Sequence, residues 1–102
     1  MNIQCTSYTV GSHDLALNDE YRLLFIDREL LKLTPTEYQL IRCFIDGVVA
    51  QDETLVSRAI KGAPTNTVNL EKHITNLRTK IRRYGLGIYR VRDYGYVLVE
   101  RK

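Results

Sequence analysis

The segment TVNLEKHITNLRTKIRRYG, residues 67–85, constrains the fold of this chain more than any other. Its apolar residues follow the spacing i, i+4, i+7 and i+11, which places them in one stripe of an α-helix. Gly85 is a typical helix stop. The pattern predicts an amphipathic helix over residues 67–83, whose apolar stripe consists of Leu70, Ile74, Leu77 and Ile81.

The polar side of this predicted helix is rich in amide, hydroxyl and basic side chains. Among the charged residues of 67–83 only Glu71 is acidic, against five basic residues. Asn, Thr, Lys and Arg contact base edges and phosphates, so this side favours a recognition helix in a DNA major groove. The alternative is an ordinary solvated face, although such a face usually mixes both signs of charge. Opposite the apolar stripe lie Lys72, Asn76, Thr79 and Arg83, and on its flanks lie Asn69, His73, Thr75, Lys80 and Arg82.

Two further helices are predicted before this one. The segment Thr34–Glu37 (TPTE) combines a capping threonine, a proline at the first helical position and a glutamate that completes a capping box. Helical spacing follows, and Gly47 marks the stop. A second helix is predicted over residues 52–60, with a break at residues 61–64. The apolar faces consist of Tyr38, Leu40, Ile41, Phe44 and Ile45 in the first helix and Leu55, Val56, Ala59 and Ile60 in the second.

Short runs of β-type residues predict strands on both sides of the helices. The pair Asp27-Arg28 has the length of a tight hairpin turn, and Asp93-Tyr94-Gly95 is predicted to join the last two strands. The expected fold class is α+β, with an N-terminal antiparallel sheet, three helices and a C-terminal β-hairpin in one domain over residues 1–102. The predicted strands are 6–10, 15–17, 21–26 and 29–33 before the helices, and 88–92 and 96–100 after them.

The C-terminal hairpin carries its own candidate DNA contacts. Arg90 and Arg92 suit phosphates or a minor groove, and Tyr94 offers an aromatic contact at the tip. Asp93 counts against this interpretation, because it brings a negative charge towards phosphate. The alternative is a structural hairpin with surface arginines, in which Tyr96, Val97 and Val99 help to close the core.

Charge is divided unevenly along the chain. Residues 1–53 carry nine acidic and four basic side chains, a net charge of −5, whereas residues 54–102 carry three acidic and eleven basic ones, a net charge of +8. This division concentrates positive potential on one part of a small surface, which suits a polyanionic partner. It favours nucleic acid as that partner.

Several classes of protein find no support in the sequence. No apolar run approaches the roughly 20 residues of a membrane span, and the N-terminus has no secretory signal. We therefore expect a cytoplasmic protein with no membrane partner, and reduced Cys5 and Cys43. There is no metal-ligand spacing, phosphate-binding glycine loop or nucleophile elbow, so we expect no metal, no cofactor and no enzymatic activity.

Three motifs together resemble the winged-helix DNA-binding domain of OmpR/PhoB-type response regulators. They are LTPTEYQLIRCF (33–44), VNLEKHITNLRTKI (68–81) and VRDYGYVLV (91–99). The similarity runs from about Leu15 to Val99. It implies a winged helix-turn-helix whose base-reading helix is residues 67–83 and whose wing is the C-terminal hairpin. The implied function is that of a transcriptional regulator that binds duplex DNA in a sequence-specific manner.

The resemblance also implies roles for individual positions. Arg78 corresponds to a family arginine used on the DNA backbone or bases, and Arg92 to a wing arginine that approaches the minor groove. The loop Lys61–Asn66 falls where family members contact RNA polymerase. Two copies are expected on tandem half-sites about one helical turn, ~10 bp, apart. The implied groove-facing positions are Lys72, His73, Thr75, Asn76 and Lys80.

The chain also departs from the family pattern. Relatives often carry glycine at the position of Asp93 and arginines at Thr75 and Asn76. These differences favour, as the alternative, a winged-helix module that contacts proteins such as RNA polymerase and binds little DNA. RNA binding finds less support, because the stacked aromatic motif of common RNA modules is missing. No receiver domain is present, so we expect either a stand-alone regulator, which Met1 favours, or the output half of a longer protein.

Overall fold

Four short strands form an antiparallel sheet in the order β1-β2-β3-β4. The computed structural model describes residues 4–45, 49–60 and 67–101. In the turn between β3 and β4, Asp27 and Arg28 have φ values of 50° and 72°, as the two-residue type I′ turn requires. The predicted turn is confirmed, although β3 and β4 are shorter than expected. The strands are β1 (Thr6–Val10), β2 (His13–Asn18), β3 (Leu23–Ile26) and β4 (Glu29–Leu31).

Alternation along these strands builds one wall of the core. Successive side chains of a strand point to opposite faces, and the inward residues Leu15, Leu17, Leu24 and Ile26 are at most 3% exposed. Leu15 is paired with Ile26, and Leu17 with Leu24, across β2 and β3, so these side chains lie side by side on that face. The N-terminal sheet therefore has a fixed register against the helices.

Helix α1 (Pro35–Phe44) begins at the predicted capping box. The Glu37 N–H donates to Thr34 Oγ1 at 3.2 Å, and the Thr34 N–H donates to Glu37 Oε1 at 2.9 Å. Each bond satisfies a backbone donor that the first helical turn leaves unpaired. The predicted start is confirmed, whereas the predicted stop at Gly47 lies outside the described residues. The predicted apolar face is buried and consists of Tyr38, Leu40, Ile41, Phe44 and Ile45.

Helix α2 (Asp52–Ala59) matches the predicted second helix and directly follows a strand that the sequence did not predict. This strand, β5 (Ala50–Gln51), pairs with the last strand of the chain. Two residues are too few to show a period of two, so the strand leaves no pattern in the sequence. The predicted break at residues 61–64 lies outside the described residues. The buried residues of α2 are Leu55, Val56 and Ala59.

Helix α3 (Thr67–Ile81) carries the predicted apolar stripe, and all four stripe residues are at most 1% exposed. Burying each of these side chains stabilises the fold by roughly 1.5–3 kcal/mol. The α-helix ends two residues earlier than predicted, because Arg82–Tyr84 form a tighter 3₁₀ turn. Gly85 then ends the segment with a φ of 81°, which glycine adopts without steric cost.

The C-terminal hairpin is longer than predicted. Its strands, β6 (Leu86–Val91) and β7 (Gly95–Glu100), join β5 in a sheet of order β5-β7-β6. The expected turn at residues 93–95 is wrong, since Gly95 belongs to β7 and the turn is Arg92–Tyr94. A Cβ at Gly95 would lie 1.8 Å from the Ala50 carbonyl oxygen. Gly95 is therefore required for the close approach of β5.

The two sheets are joined by hydrogen bonds at their edges. The N–H and Oγ of Ser12, in the turn between β1 and β2, donate to Glu100 Oε2 at 2.6 and 2.5 Å. The neighbouring His13 Nε2 lies 3.7 Å from the same Glu100 Oε2. These contacts hold the N-terminal sheet against the base of the hairpin. No helix in the described part of the chain has the length and apolar composition needed to cross a bilayer.

Candidate nucleic-acid interface

The outward face of α3 is polar and open to solvent. It lies opposite the buried stripe, so its side chains point away from the core. None of Asn69, Lys72 and Asn76 has a side-chain partner among the described residues. Thr79 Oγ1 donates to the Thr75 carbonyl oxygen at 3.1 Å, which leaves its oxygen able to accept. The predicted site residues that are exposed on this face are Asn69, Lys72, Thr75, Asn76 and Thr79, and His73 is half-buried at its flank.

Lys80 differs from the side chains of this face, because it contacts helix α1. Its Nζ lies 2.5 Å from Oε1 of Glu37, whose side chain is only 3% exposed. Burial opposes ionisation of that carboxyl, but the hydrogen bonds from Lys80 and Thr34 outweigh it and lower the pKa of Glu37. Lys80 was predicted to face the DNA groove, and the structure places it in an ion pair between α1 and α3.

Arg78 also contacts the protein. Its Nε donates to the Ile88 carbonyl oxygen at 2.8 Å, and its guanidinium lies 5.7 Å from the centre of the Tyr96 ring. These contacts attach α3 to β6 and β7 and leave the terminal guanidinium nitrogens available. Arg83 contacts its neighbour Tyr84, with 2.6 Å between Nη2 and the hydroxyl. Both predicted DNA-contacting arginines are therefore partly engaged.

Arg90 lies on β6, two residues before the tip residue Arg92, and pairs with α2. Its Nη1 is 2.6 Å from Asp52 Oδ1, and its guanidinium lies 4.8 Å from the centre of the Tyr96 ring. The Asp52 N–H, at the start of α2, also donates to the Tyr94 carbonyl oxygen at 3.1 Å. Sequence reasoning missed Asp52, which lies 38 residues before its partner. The hairpin is thus fixed to the N-terminus of α2 by a side-chain contact and a backbone contact.

The tip of the hairpin projects into solvent. The Arg92 side chain is 97% exposed, and its Nε lies 3.9 Å from an Asp93 carboxylate oxygen. Such an exposed pair is weak and holds neither side chain in place. Tyr94 is 47% exposed, and its N–H donates to the Val91 carbonyl oxygen at 3.0 Å, which closes the turn. Asp93 has a φ of 59°, a left-handed conformation that aspartate tolerates better than most residues.

The twelve predicted site residues therefore divide into two groups. The free group consists of exposed positions on α3 and the hairpin tip. The engaged group consists of side chains that already contact the protein. The first group is Asn69, Lys72, Thr75, Asn76, Thr79, Arg92 and Tyr94, with His73 at its flank, and the second is Arg78, Lys80, Arg83 and Arg90.

Comparisons with known proteins converge on one family. The model of the family described as "Transcriptional regulatory protein, C terminal" matches residues 27–98. No curated protein matches the chain significantly by sequence.

Solved structures give the same picture. The DNA-binding domain of the response regulator AdeR, in complex with an intercistronic region, is 29% identical with a TM-score of 0.70, over 84% of this chain and 93% of that one. The DNA-binding domain of CpxR from E. coli is 27% identical with a TM-score of 0.72, over 95% and 99% of the two chains. A streptococcal redox sensor evolved from two-component response regulators is 26% identical with a TM-score of 0.72. The match covers 98% of this chain but only 43% of that sensor.

Proposed function

This chain belongs to the OmpR/PhoB-type family of C-terminal DNA-binding domains of transcriptional regulatory proteins, and we propose that it regulates transcription by binding duplex DNA through α3 and the tip of its hairpin. Helix α3 occupies the major groove, and the wing, defined as Arg92–Tyr94, approaches the minor groove. The observation that carries this proposal is the free group of polar and basic side chains on α3 and the wing. The AdeR domain, solved with DNA, supports it.

The free side chains have the chemistry that base reading requires. The Asn76 amide can form two hydrogen bonds with an adenine edge, and the methyl group of Thr75 can contact a thymine methyl. Lys72 reaches guanine or phosphate as a mobile point charge. Arg92 enters a narrow minor groove, where the negative potential is enhanced. The bases in contact with α3 then determine the sequence preference.

The engaged side chains have a positioning role in this proposal. Lys80 fixes α3 to α1, and Arg78 fixes α3 to β6. Arg90 fixes the wing to Asp52 at the start of α2. Because α3 and the wing must meet two grooves of one duplex, these contacts set the angle between them.

The regulatory mechanism follows from where such a domain binds. We propose that residues 1–102 act as one domain, without catalysis, and that this domain works in the cytoplasm, where the DNA it binds is located.

Two copies of the domain occupy tandem half-sites about one helical turn, ~10 bp, apart. The loop Lys61–Asn66 contacts RNA polymerase. Gel-shift stoichiometry on one and two half-sites tests the pairing, since undiminished affinity for one half-site by a single copy contradicts it.

The proposal is tested by fluorescence anisotropy. The purified protein is titrated against a labelled random-sequence duplex in a series of salt concentrations, and the preferred sequence is then selected from that pool. Affinity falls steeply as salt rises, because each neutralised phosphate releases counterions. Absence of binding at low salt contradicts the proposal.

Substitutions separate DNA binding from the alternative, a protein-interaction module, which the Asp93 carboxylate at the wing tip favours. Lys72→Ala and Arg92→Ala each weaken binding to the selected duplex by roughly 1–3 kcal/mol if these residues contact DNA. The matched control is Lys32→Ala, which removes an exposed lysine close to β4. Equal affinities for all three variants would instead support the interaction module.

A further inference from the structure

The seam between α3 and β6 contains a cleft of about 460 Å³. Four arginines line it, and no carboxylate of the described residues does. A concentration of guanidinium groups attracts polyanions and binds phosphate oxygens in a bidentate geometry. The four lining arginines are Arg78, Arg82, Arg90 and Arg101, and the strand β6 supplies Leu86, Gly87, Ile88 and Tyr89.

Two of these arginines are available to a ligand. Arg82 and Arg101 are exposed, and their guanidinium groups make no hydrogen bond or ion pair with any described residue. Arg78 commits one nitrogen to the Ile88 carbonyl oxygen and retains its terminal nitrogens. Gly87 forms part of the floor, where an added Cβ would lie 2.7 Å from Arg101 Cγ. The absence of a side chain at Gly87 lets the Arg101 stem lie across the strand.

The position of the cleft relates it to the proposed DNA surface. One wall continues along α3, and the other continues along β6 into the wing, where Arg90 is two residues from Arg92. A duplex that contacts both α3 and the wing therefore passes the mouth of the cleft. From Leu86 to Arg90, β6 extends about 13 Å at ~3.3 Å per residue. A duplex whose axis ran parallel to β6 would place roughly four phosphates of one strand along that length, at ~3.4 Å each.

We propose that this arginine cleft binds phosphates of the DNA backbone beyond the bases that α3 contacts. Arg82 and Arg101 are the side chains that are free to bind them. The inference rests on the proposed function and extends it, because it adds Arg82 and Arg101 to the twelve predicted site residues. Phosphodiester oxygens are the ligands. A free phosphorylated molecule has the same chemistry, and the experiment separates the two sources.

The test compares the wild type with the double variant Arg82→Ala/Arg101→Ala on the selected duplex with extended flanks. Salt-series anisotropy gives the slope of log affinity against log salt, and ethylation interference locates the contacted phosphates. We expect the slope to fall by about 0.9 for each lost phosphate contact, or ~1.8 for the pair. Interference should disappear at flanking phosphates and persist at those that depend on Arg92.

A matched control is Arg28→Gly/Lys32→Ala, which also removes two exposed positive charges but from the N-terminal sheet. Glycine is chosen at residue 28 because Arg28 has a φ of 72°. Equal losses of slope in both double variants would show a general charge effect and overturn the proposal. Circular dichroism melting confirms that all variants are folded.

Three other outcomes also overturn the proposal. If Arg82→Ala/Arg101→Ala keeps the wild-type slope and interference pattern while Arg92→Ala weakens binding, the cleft is not a DNA surface and the proposed function stands. If pyrophosphate shifts the cleft resonances in an NMR titration and only this interaction is lost in the double variant, the ligand is a free phosphate compound. If the wild type binds no duplex, the proposed function fails together with the inference.

Discussion

The outward face of α3 and its flank towards α1 carry the same kinds of side chain, but the fold uses them differently. Lys72 on the outward face has no partner in the described residues, whereas Lys80 on the flank pairs with buried Glu37 at 2.5 Å. The same contrast separates Arg92 at the wing tip from Arg90 at the wing base, which pairs with Asp52 at 2.6 Å. Under the proposed function, a basic residue of α3 or the wing is therefore either a DNA contact or a scaffold contact, and its partner across the fold decides which.

Removing the Lys80 side chain should give the largest change in stability, and it directly tests the distinction between Lys80 and Lys72. Lys80→Ala leaves the buried Glu37 carboxylate with Thr34 as its one partner among the described residues, so we expect a loss of about 1–3 kcal/mol in the free energy of unfolding. Lys72→Ala should change it by no more than about 0.5 kcal/mol, as is usual for surface positions. Urea denaturation at pH 7 measures the free energy of unfolding of both variants. Equal stabilities would contradict the distinction between a scaffold lysine and a free one.

The pH dependence of stability provides a second test of the Glu37 carboxyl group. The folded state lowers the pKa of Glu37 below its ordinary value of 4.5. Its stabilising contribution is therefore fully present above that ordinary value and is lost as pH falls through the lowered folded pKa. Between pH 6 and 8 we expect no contribution to pH dependence from this group. Urea midpoints measured from pH 7 down to pH 2 should fall less steeply in Glu37→Gln, and an unchanged acid limb would contradict this assignment.

The wing base provides a third test, through a double-mutant cycle on Asp52 and Arg90. If Arg90 acts by positioning the wing, Asp52→Ala and Arg90→Ala each weaken DNA binding, and the double variant is no weaker than the worse single variant. The expected coupling is of the order of 0.5–1 kcal/mol, because the pair is partly exposed. If Arg90 instead contacts phosphate, Asp52→Ala should tighten binding by freeing its guanidinium. Anisotropy titrations of the four proteins distinguish these cases.

The smallest effect is expected at the wing tip. Asp93→Gly removes a carboxylate beside Arg92 and places glycine at a φ of 59°. We expect binding to tighten by a few tenths of a kcal/mol up to ~1 kcal/mol, the range of exposed charge interactions. The gain should fade at high salt. Asp93→Asn, which keeps a residue that tolerates the left-handed conformation, is the control for backbone effects.

Local signals in the sequence were sufficient for most of the fold. The capping box at Thr34, the stripe of α3 and the stop at Gly85 each depend on residues within a few positions of one another. The contacts that assign Lys80 and Arg90 join residues 43 and 38 positions apart. Helical periodicity and capping motifs carry no information about such long-range pairs. The sequence therefore predicted the helices, the strands and the exposed face of α3, but not which basic side chains form contacts within the protein.

The turn of the hairpin illustrates the same limit. Glycine is typical of turns, and the sequence analysis places Gly95 in the predicted turn. Its actual reason is the Ala50 carbonyl oxygen, which leaves no room for a Cβ. Strand β5 supplies that oxygen, and its two residues give no periodic signal. The error and the missed strand thus have one physical cause.

Glu37 has a consequence for how domains of this kind diversify. One carboxylate both caps α1 and holds α3 through Lys80, so position 80 is coupled to the start of another helix. Among the described residues, the outward side chains of α3 have no such coupling. If these positions contact the bases, as we propose, their side chains can be exchanged, and with them the preferred operator, while the contact that orients the helix is kept. Specificity and architecture can therefore evolve on separate residues of a single helix.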